Sequence, residues 1–385
     1  MSTPYRPQEN GEAVIVHPEI KISVDVLLKY LIDVGGSDLV LSNKYQPKVR
    51  VHGRWEDIPG SPILDGRYLR KLVDDLLDEE QKDRYIKQKD FNFAYQYSDD
   101  YRFRVQLTTE RGNPGFTMRV IPRHIKTVEE LGLEPHLLSL AKLEKGLVLF
   151  TGPTGSGKSS AIAAIIEHIN INQKRRIVTL EDPIEFWYEQ KRAAVIQREK
   201  YADFLDYPTA VRYALQQAPD VIVVGELHDE HSMMAAIEAA ETGHVVFATL
   251  HTSTVQDTVD RILSTVGAGN HGIRSMLASC LQFVMCQTLC PTPNGKGRVA
   301  ASEVMYVTPG VRANIRTGET EQIPNSFAIV KENRSMEQHL AQLVKAGKIT
   351  PEIAEEKAMN KKQLEQYLGK IKYTPGGAGF EIAMN

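Results

Sequence analysis

The eight residues Gly152-Pro153-Thr154-Gly155-Ser156-Gly157-Lys158-Ser159 constrain this chain more than any other feature. They fit the pattern G-x-x-x-x-G-K-[ST]. An apolar run, LVLF over 147–150, leads in, and an Ala/Ile-rich helical segment over 160–169 leads out. Such a loop between a buried strand and a helix is a phosphate cradle. Its glycines let backbone N–H groups converge on anionic oxygens at the positive end of the helix dipole. Lys158 is long enough to reach β- and γ-phosphates, and the Ser159 hydroxyl suits Mg²⁺. Gly152 through Ser159, with Ser160 behind them, are therefore the predicted nucleotide-binding residues. ATP and Mg²⁺ are the predicted cofactors.

Short aliphatic runs recur after Leu143: LVLF at 147–150, IVTL at 177–180, VIVV at 221–224 and VVFATL at 245–250, with helical segments between them. Near-continuous aliphatic strands are buried on both faces, which predicts an α/β fold with a parallel-rich sheet. The preceding region has a different rhythm. Ser23 suits an N-cap, Val24, Leu27, Leu28, Leu31 and Ile32 recur at helical spacing, and Gly35-Gly36 stop the helix. Strands are expected at 38–42, 47–52, 101–107 and 115–121, with a second helix over about 65–88. In YRFRVQL the arginines Arg102 and Arg104 share one face with Gln106, opposite Phe103, Val105 and Leu107. Without a βαβ rhythm, this part reads as a small α+β domain. The predicted organisation is a flexible leader over 1–20, an N-terminal domain over 21–121, a linker over 122–135, an ATPase domain over 136–350 and a C-terminal extension over 351–385.

A phosphate loop needs a carboxylate at the end of a neighbouring strand, to hold Mg²⁺ through water and to orient the attacking water. Glu226, after VIVV-Gly225, is the predicted general base and metal partner. Glu181 closes the run IVTL in the same way and is predicted to share the metal and the lytic water. His251, with Thr252, ends VVFATL, and His244 precedes it. Both histidines are candidates for sensing the γ-phosphate or bridging to a neighbouring subunit.

Composition narrows the partners. Lys+Arg 46 against Asp+Glu 49 gives a net charge of −3, which argues against a surface built to coat nucleic acid. Three cysteines, Cys280, Cys286 and Cys290, exclude a disulfide scaffold and favour a reducing compartment. Their spacing lacks the paired C-x-x-C of a zinc site. No apolar run approaches a membrane span, and the N-terminus lacks the apolar core of a signal peptide. Ser335-Met336-Glu337-Gln338 has the capping-box pattern ahead of an apolar helical face.

The motifs in this order resemble the secretion ATPase superfamily of type II and type IV secretion, most closely its PilT-like branch. That branch holds pilus retraction motors and the DotB/TraJ ATPases of type IVB secretion and conjugation. Its Walker A, acidic, Walker B and histidine boxes match GPTGSGKS (152–159), TLEDPIE (179–185), DVIVVGE (220–226) and ETGHVVFATLHT (241–252). SDLVLS (37–42), RFRVQ…RG (102–112) and FTMRVIP (116–122) resemble the family's N-terminal domain. LQFVMCQTLCP (281–291), ASEVMYVTPGVRANIR (301–316) and MEQHLAQLVKAGKI (336–349) resemble its C-terminal helical part.

The resemblance implies a PAS-like N-terminal domain, a RecA-like ATPase domain and a homohexameric ring. It implies that arginines of the first domain act as fingers on the phosphates, here Arg102, Arg104 and Arg111, with Arg119 a further candidate. There are departures. The segment before Walker B reads Ala214-Leu215-Gln216-Gln217-Ala218-Pro219-Asp220, and the segment around the acid reads Gly225-Glu226-Leu227-His228-Asp229, without the family's arginine. The retraction-associated stretch becomes Gly310 to Thr317, GVRANIRT. These leave the ATPase motifs intact and shift the expectation toward type IVB secretion or conjugation, with pilus retraction as the alternative.

The expected protein is thus a cytoplasmic hexameric ATPase, peripherally associated with the inner membrane and working with secretion or pilus machinery proteins at its cytoplasmic face. No direct nucleic-acid partner is expected. A RecA-like nucleic-acid motor would need a basic, aromatic-bearing channel, and an ATP-sensing scaffold would carry a degraded motif.

Overall fold

The computed structural model describes residues 22–369 except 52–53, 99, 122–123, 268–269 and 296, and adds two short antiparallel strands, β1 (Tyr5–Pro7) and β2 (Ala13–Ile15). The rest of the expected leader and the tail beyond 369 lie outside the described residues. The chain divides into two compact units, Met1–Arg123 and His124–Asn385.

The first unit is α+β. Its chain order is α1 (Val24–Asp33), β3 (Asp38–Leu41), β4 (Lys48–Val51), β5 (Arg54–Asp57), α2 (Gly66–Leu76), α3 (Glu79–Gln88), β6 (Asp90–Gln96), β7 (Arg102–Glu110) and β8 (Asn113–Ile121). The six strands β3–β8 form one antiparallel sheet in the order β5-β4-β3-β8-β7-β6. Phe103, Val105 and Leu107 turn inward from β7 against Leu28 and Leu31 of α1 and Leu69 of α2. The helix expected over 65–88 is two helices. Asp78 breaks it: its carboxylate accepts from the Gln81 N–H at 2.8 Å, and the Gln81 side chain accepts from the Asp78 N–H at 3.2 Å. That reciprocal cap restarts the backbone as a new helix, which periodicity alone does not register.

The second unit is the RecA-like α/β domain. It runs β9 (Gly146–Thr151), α4 (Lys158–Asn172), β10 (Arg176–Glu181), β11 (Ala194–Glu199), α5 (Tyr207–Leu215), β12 (Val221–Val224), α6 (Glu230–Glu241), β13 (Val245–Thr249), α7 (Val255–Val266), α8 (His271–Cys280), β14 (Leu281–Pro291), β15 (Arg298–Tyr306), α9 (Pro309–Thr317), α10 (Met336–Lys345), α11 (Pro351–Lys357) and α12 (Lys361–Leu368). The seven-stranded sheet has the order β11-β10-β12-β13-β9-β14-β15. All its pairings are parallel except the antiparallel β14–β15 hairpin. It is covered on both faces. Leu147 and Leu149 of β9 enter one core cluster, and Val148 and Phe150 enter the other.

Three expectations change here. Residues 281–291 and 301–306, read by resemblance as helical, are strands that extend the sheet past β9. A dense apolar run does not separate strand from buried helix by periodicity, and pairing with β9 decides it. The expected linker contributes to the second core: Ile125, Val128 and Leu133 are buried with Leu137 and Leu140. The extension expected from 351 also packs in, since Ala354 and Leu364 are buried with Leu340 of α10, Ala301 and Cys290.

Candidate nucleotide site

The phosphate loop leaves the fully buried β9 and enters α4. Gly152 has φ +133° and Gly157 φ +93°, both in the region that favours glycine. Space makes the same demand. A Cβ on Gly152 would lie 2.1 Å from the Gln287 carbonyl oxygen, and one on Gly157 would lie 2.7 Å from Gln287 Nε2. Gln287 Nε2 donates to the Ser156 carbonyl at 2.7 Å, so β14 braces the loop from the neighbouring strand. Sequence reading missed Gln287. The signal was there, a single glutamine inside the apolar run LQFVMCQTLC, but the helical reading of that run hid it.

Pro153, Thr154 and Gly155 form the exposed crest of the loop, while Ser159 and Ser160 are half-buried in the first turn of α4. Lys158 turns back over the loop and donates to the Gly152 carbonyl at 2.7 Å and the Pro153 carbonyl at 3.1 Å. Burial lowers the Lys158 pKa, and the Glu226 and Glu185 carboxylates oppose that shift. The Ser156 hydroxyl is buried and has no hydrogen-bond partner. A left-handed glycine loop, a lysine within it and an orphaned hydroxyl together fit a phosphate chain.

Glu226 stands two residues past the end of β12, beside the end of β10, where the Gly225 N–H donates to the Leu180 carbonyl at 2.8 Å. Two histidines bracket its carboxylate. His251, just beyond β13, contacts Oε1, and His228 Nε2 lies 2.8 Å from Oε2. The two imidazoles face each other at 6.3 Å between centroids, 19° from parallel. Thr249 Oγ1 donates to the Gly225 carbonyl and ties the ends of β12 and β13 together. The Leu250 N–H donates to the Phe150 carbonyl at 3.2 Å, which sets His251 beside the end of β9.

Glu181 ends β10 next to β12, as the strand reading placed it. Its carboxylate is already held: it accepts from Thr179 Oγ1 at 2.6 Å, Gln197 Nε2 at 3.2 Å and the Glu185 N–H at 3.3 Å. Burial nevertheless pushes its pKa up to about 7.

His244 is not brought to this edge. It precedes β13, its backbone carbonyl accepts from the Gly146 N–H at 2.9 Å, and its ring contacts the Ala239 carbonyl at 3.1 Å. The start of β13 lies beside the start of β9, so His244 and the phosphate loop occupy opposite edges of the sheet, roughly 16 Å apart by strand rise. The expectation that His244 joins His251 in one site is corrected on that ground.

The arginine candidates belong to the first unit. Arg102 and Arg104 are half-buried on the sheet face opposite its core, and Arg104 pairs directly across from Arg119. Arg119 Nε donates to the buried Asp38 carboxylate at 2.6 Å. Arg111 is exposed at the tip of the β7–β8 hairpin with φ +50°. All three cysteines are buried. Burial pushes the Cys280 thiol up to about 12 and the Cys290 thiol up to about 11, as expected of packing residues.

The family described as "Type II/IV secretion system protein" matches residues 82–369. The chain is 37% identical over 340 residues to the type IV pilus retractation ATPase PilT of Pseudomonas aeruginosa, covering 88% of this chain and 98% of that protein. It is 37% identical over 321 residues to a twitching motility protein of Neisseria gonorrhoeae, covering 83% and 86%. Among solved structures, the pilus retraction motor PilT with bound ADP superposes with a TM-score of 0.83 at 34% identity, covering 90% of this chain and 100% of that one. The Legionella pneumophila ATPase DotB superposes with a TM-score of 0.77 at 27% identity, covering 86% and 94%.

Proposed function

Because the chain belongs to the type II/IV secretion system protein family and is a nucleotide-binding ATPase, we propose that it is the motor subunit of a type IV pilus machine of the retraction type, working as a homohexamer. The near full-length match to a retraction ATPase supports this reading over the type IVB secretion expected from the local departures. One observation carries the chemistry: the phosphate loop follows β9 and Glu226 follows β12, parallel strands on either side of β13, so Lys158 and Glu226 stand at the same edge of the sheet.

In this reading the loop amides and Lys158 hold the phosphates, and Glu226 orients and deprotonates the attacking water. His251 and His228 keep the Glu226 carboxylate aimed. Glu181, fixed by its three donors, would help hold the metal through water. Ser159 would ligate Mg²⁺, which supplies charge neutralisation at the phosphates. Arg102, Arg104 and Arg111 act as fingers from the N-terminal domain. The motor acts at the cytoplasmic face of the inner membrane on the proteins of the machine, and no described helix is long and apolar enough to cross a membrane.

The test is steady-state ATPase rate against protein concentration, with and without single-stranded DNA. A specific rate that rises with concentration and ignores DNA supports the assembling motor. Lys158→Ala and Glu226→Gln must each abolish it; wild-type turnover in either overturns the site.

The DotB likeness keeps one second reading, a type IVB secretion motor, favoured by His228 in place of the family's arginine. Complementation separates the two: restored twitching in a strain lacking its retraction ATPase supports the first reading.

A further inference from the structure

The edge of the RecA-like sheet opposite the phosphate loop carries a basic patch that the ATPase chemistry does not use. β10 and β11 start there side by side, with Arg176 in register with Ala194. Lys174, Arg175, Arg176, Lys191 and Arg192 line a shallow cavity of 580 Å³ together with Ala194 and Asp220. A chain of net charge −3 has thus gathered five cations within 19 positions of sequence on one edge.

Two of the five are internally engaged. Lys191 pairs with Glu167, and Arg175 Nη1 donates to the Leu143 carbonyl at 2.8 Å. Asp220 is also occupied, accepting from the Arg176 N–H at 2.7 Å. Among the described residues, no carboxylate pairs with the side chains of Lys174, Arg176 or Arg192, and all three are exposed. Uncompensated cations this close repel one another and gain from an external anion. Ile171, in the last turn of α4 and three residues before Lys174, is 45% exposed. An exposed aliphatic beside long cationic side chains suits a bilayer interface, where the heads reach phosphates and the apolar group enters the headgroup boundary.

We propose that this edge docks on an anionic phospholipid surface, with Lys174, Arg176 and Arg192 as the phosphate contacts. The inference rests on the proposed membrane-face location only for where such a surface is met. Each Lys or Arg near an anionic membrane surface adds to the attraction, so three such heads on one edge favour an anionic surface over a neutral one.

The experiment is co-sedimentation of the full chain with phosphatidylglycerol-containing vesicles and with phosphatidylcholine vesicles. Binding should appear only with the anionic lipid and fade between about 0.05 and 0.5 M salt, as the Debye length shrinks. Lys174→Glu/Arg176→Glu/Arg192→Glu should lower the partition coefficient by about a hundredfold while keeping the solution ATPase rate. Lys174→Gln/Arg192→Gln, a milder pair, should lower it by about tenfold and guards against misfolding of the triple variant. Equal binding to both lipids, or variants that bind like wild type, overturns the proposal. So does binding to immobilised polyglutamate, lost in the variants, with vesicles ignored, since the edge then faces an acidic protein. An inactive ATPase that still binds vesicles through this edge would refute the motor reading and leave the docking surface standing.

Discussion

Nε2 of His228 lies 2.8 Å from one carboxylate oxygen of Glu226, while His251 contacts the other. The acid at the end of β12 is therefore gripped from two loops, one following its own strand and one following β13. A carboxylate held on both oxygens cannot rotate freely, and in the proposed role of general base a misaimed acid is costly in rate.

Removing that grip should separate binding from chemistry. His228→Ala is expected to lower kcat by about tenfold with the KM for ATP nearly unchanged, because His228 contacts the acid rather than the loop. His228→Gln, which retains an N–H donor, should recover part of the loss. Steady-state kinetics of both variants decides it, and an unchanged kcat in His228→Ala removes the positioning role.

Gln287 should show the opposite pattern. Gln287→Ala removes the donor to the buried Ser156 carbonyl and the atoms that pack under Gly157. An unmade buried hydrogen bond costs about 1–3 kcal/mol. The loss falls on the loop, so affinity for ATP and ADP should drop by about tenfold or more. Titration with a fluorescent nucleotide measures it.

Breaking the Arg334–Glu134 pair should destabilise the second unit. Arg334 is nearly buried, forks onto both Glu134 oxygens, and also donates to Ser302 Oγ at 2.6 Å. Arg334→Ala leaves Glu134 and Ser302 without their donor, at a cost of about 3 kcal/mol. The midpoint of urea unfolding should fall while the nucleotide affinity of the folded protein holds.

Stability should depend on pH through Glu303. This residue of β15 is buried; its carboxyl accepts from the Val255 N–H at 2.7 Å, and burial, with Glu337 adding, pushes its pKa up to about 7. The sign follows from linkage. In the unfolded chain the acid ionises near 4.5, while in the folded chain it stays protonated until about 7. Its contribution is fully present below pH 4.5 and is lost as pH rises through 7. Glu303→Gln should remove that dependence, so wild type loses on the order of 2 kcal/mol relative to the variant between pH 5 and 8. Denaturant unfolding of both proteins across that range measures it, and parallel profiles count against the raised pKa.

The local chemistry of this protein is written in its sequence. A glycine-rich loop followed by Lys158-Ser159 encodes a phosphate site because backbone freedom and a charged side chain are properties of neighbouring residues. Aliphatic runs ending in Glu181 and Glu226 encode strands buried on both faces, with acids at one edge, for the same local reason. Tertiary structure decided everything that depends on which strand lies beside which. The pairing of β14 with β9 made a strand of a run that reads equally as helix and brought Gln287 under the loop. The direction of β13 carried His251 to the site and left His244 at the far edge. The grip of His228 on Glu226 and the gathering of Lys174, Arg176 and Arg192 on one edge required the same packing. A sequence states the residue types and their local periods, but contacts between distant segments are selected by the burial of the whole sheet.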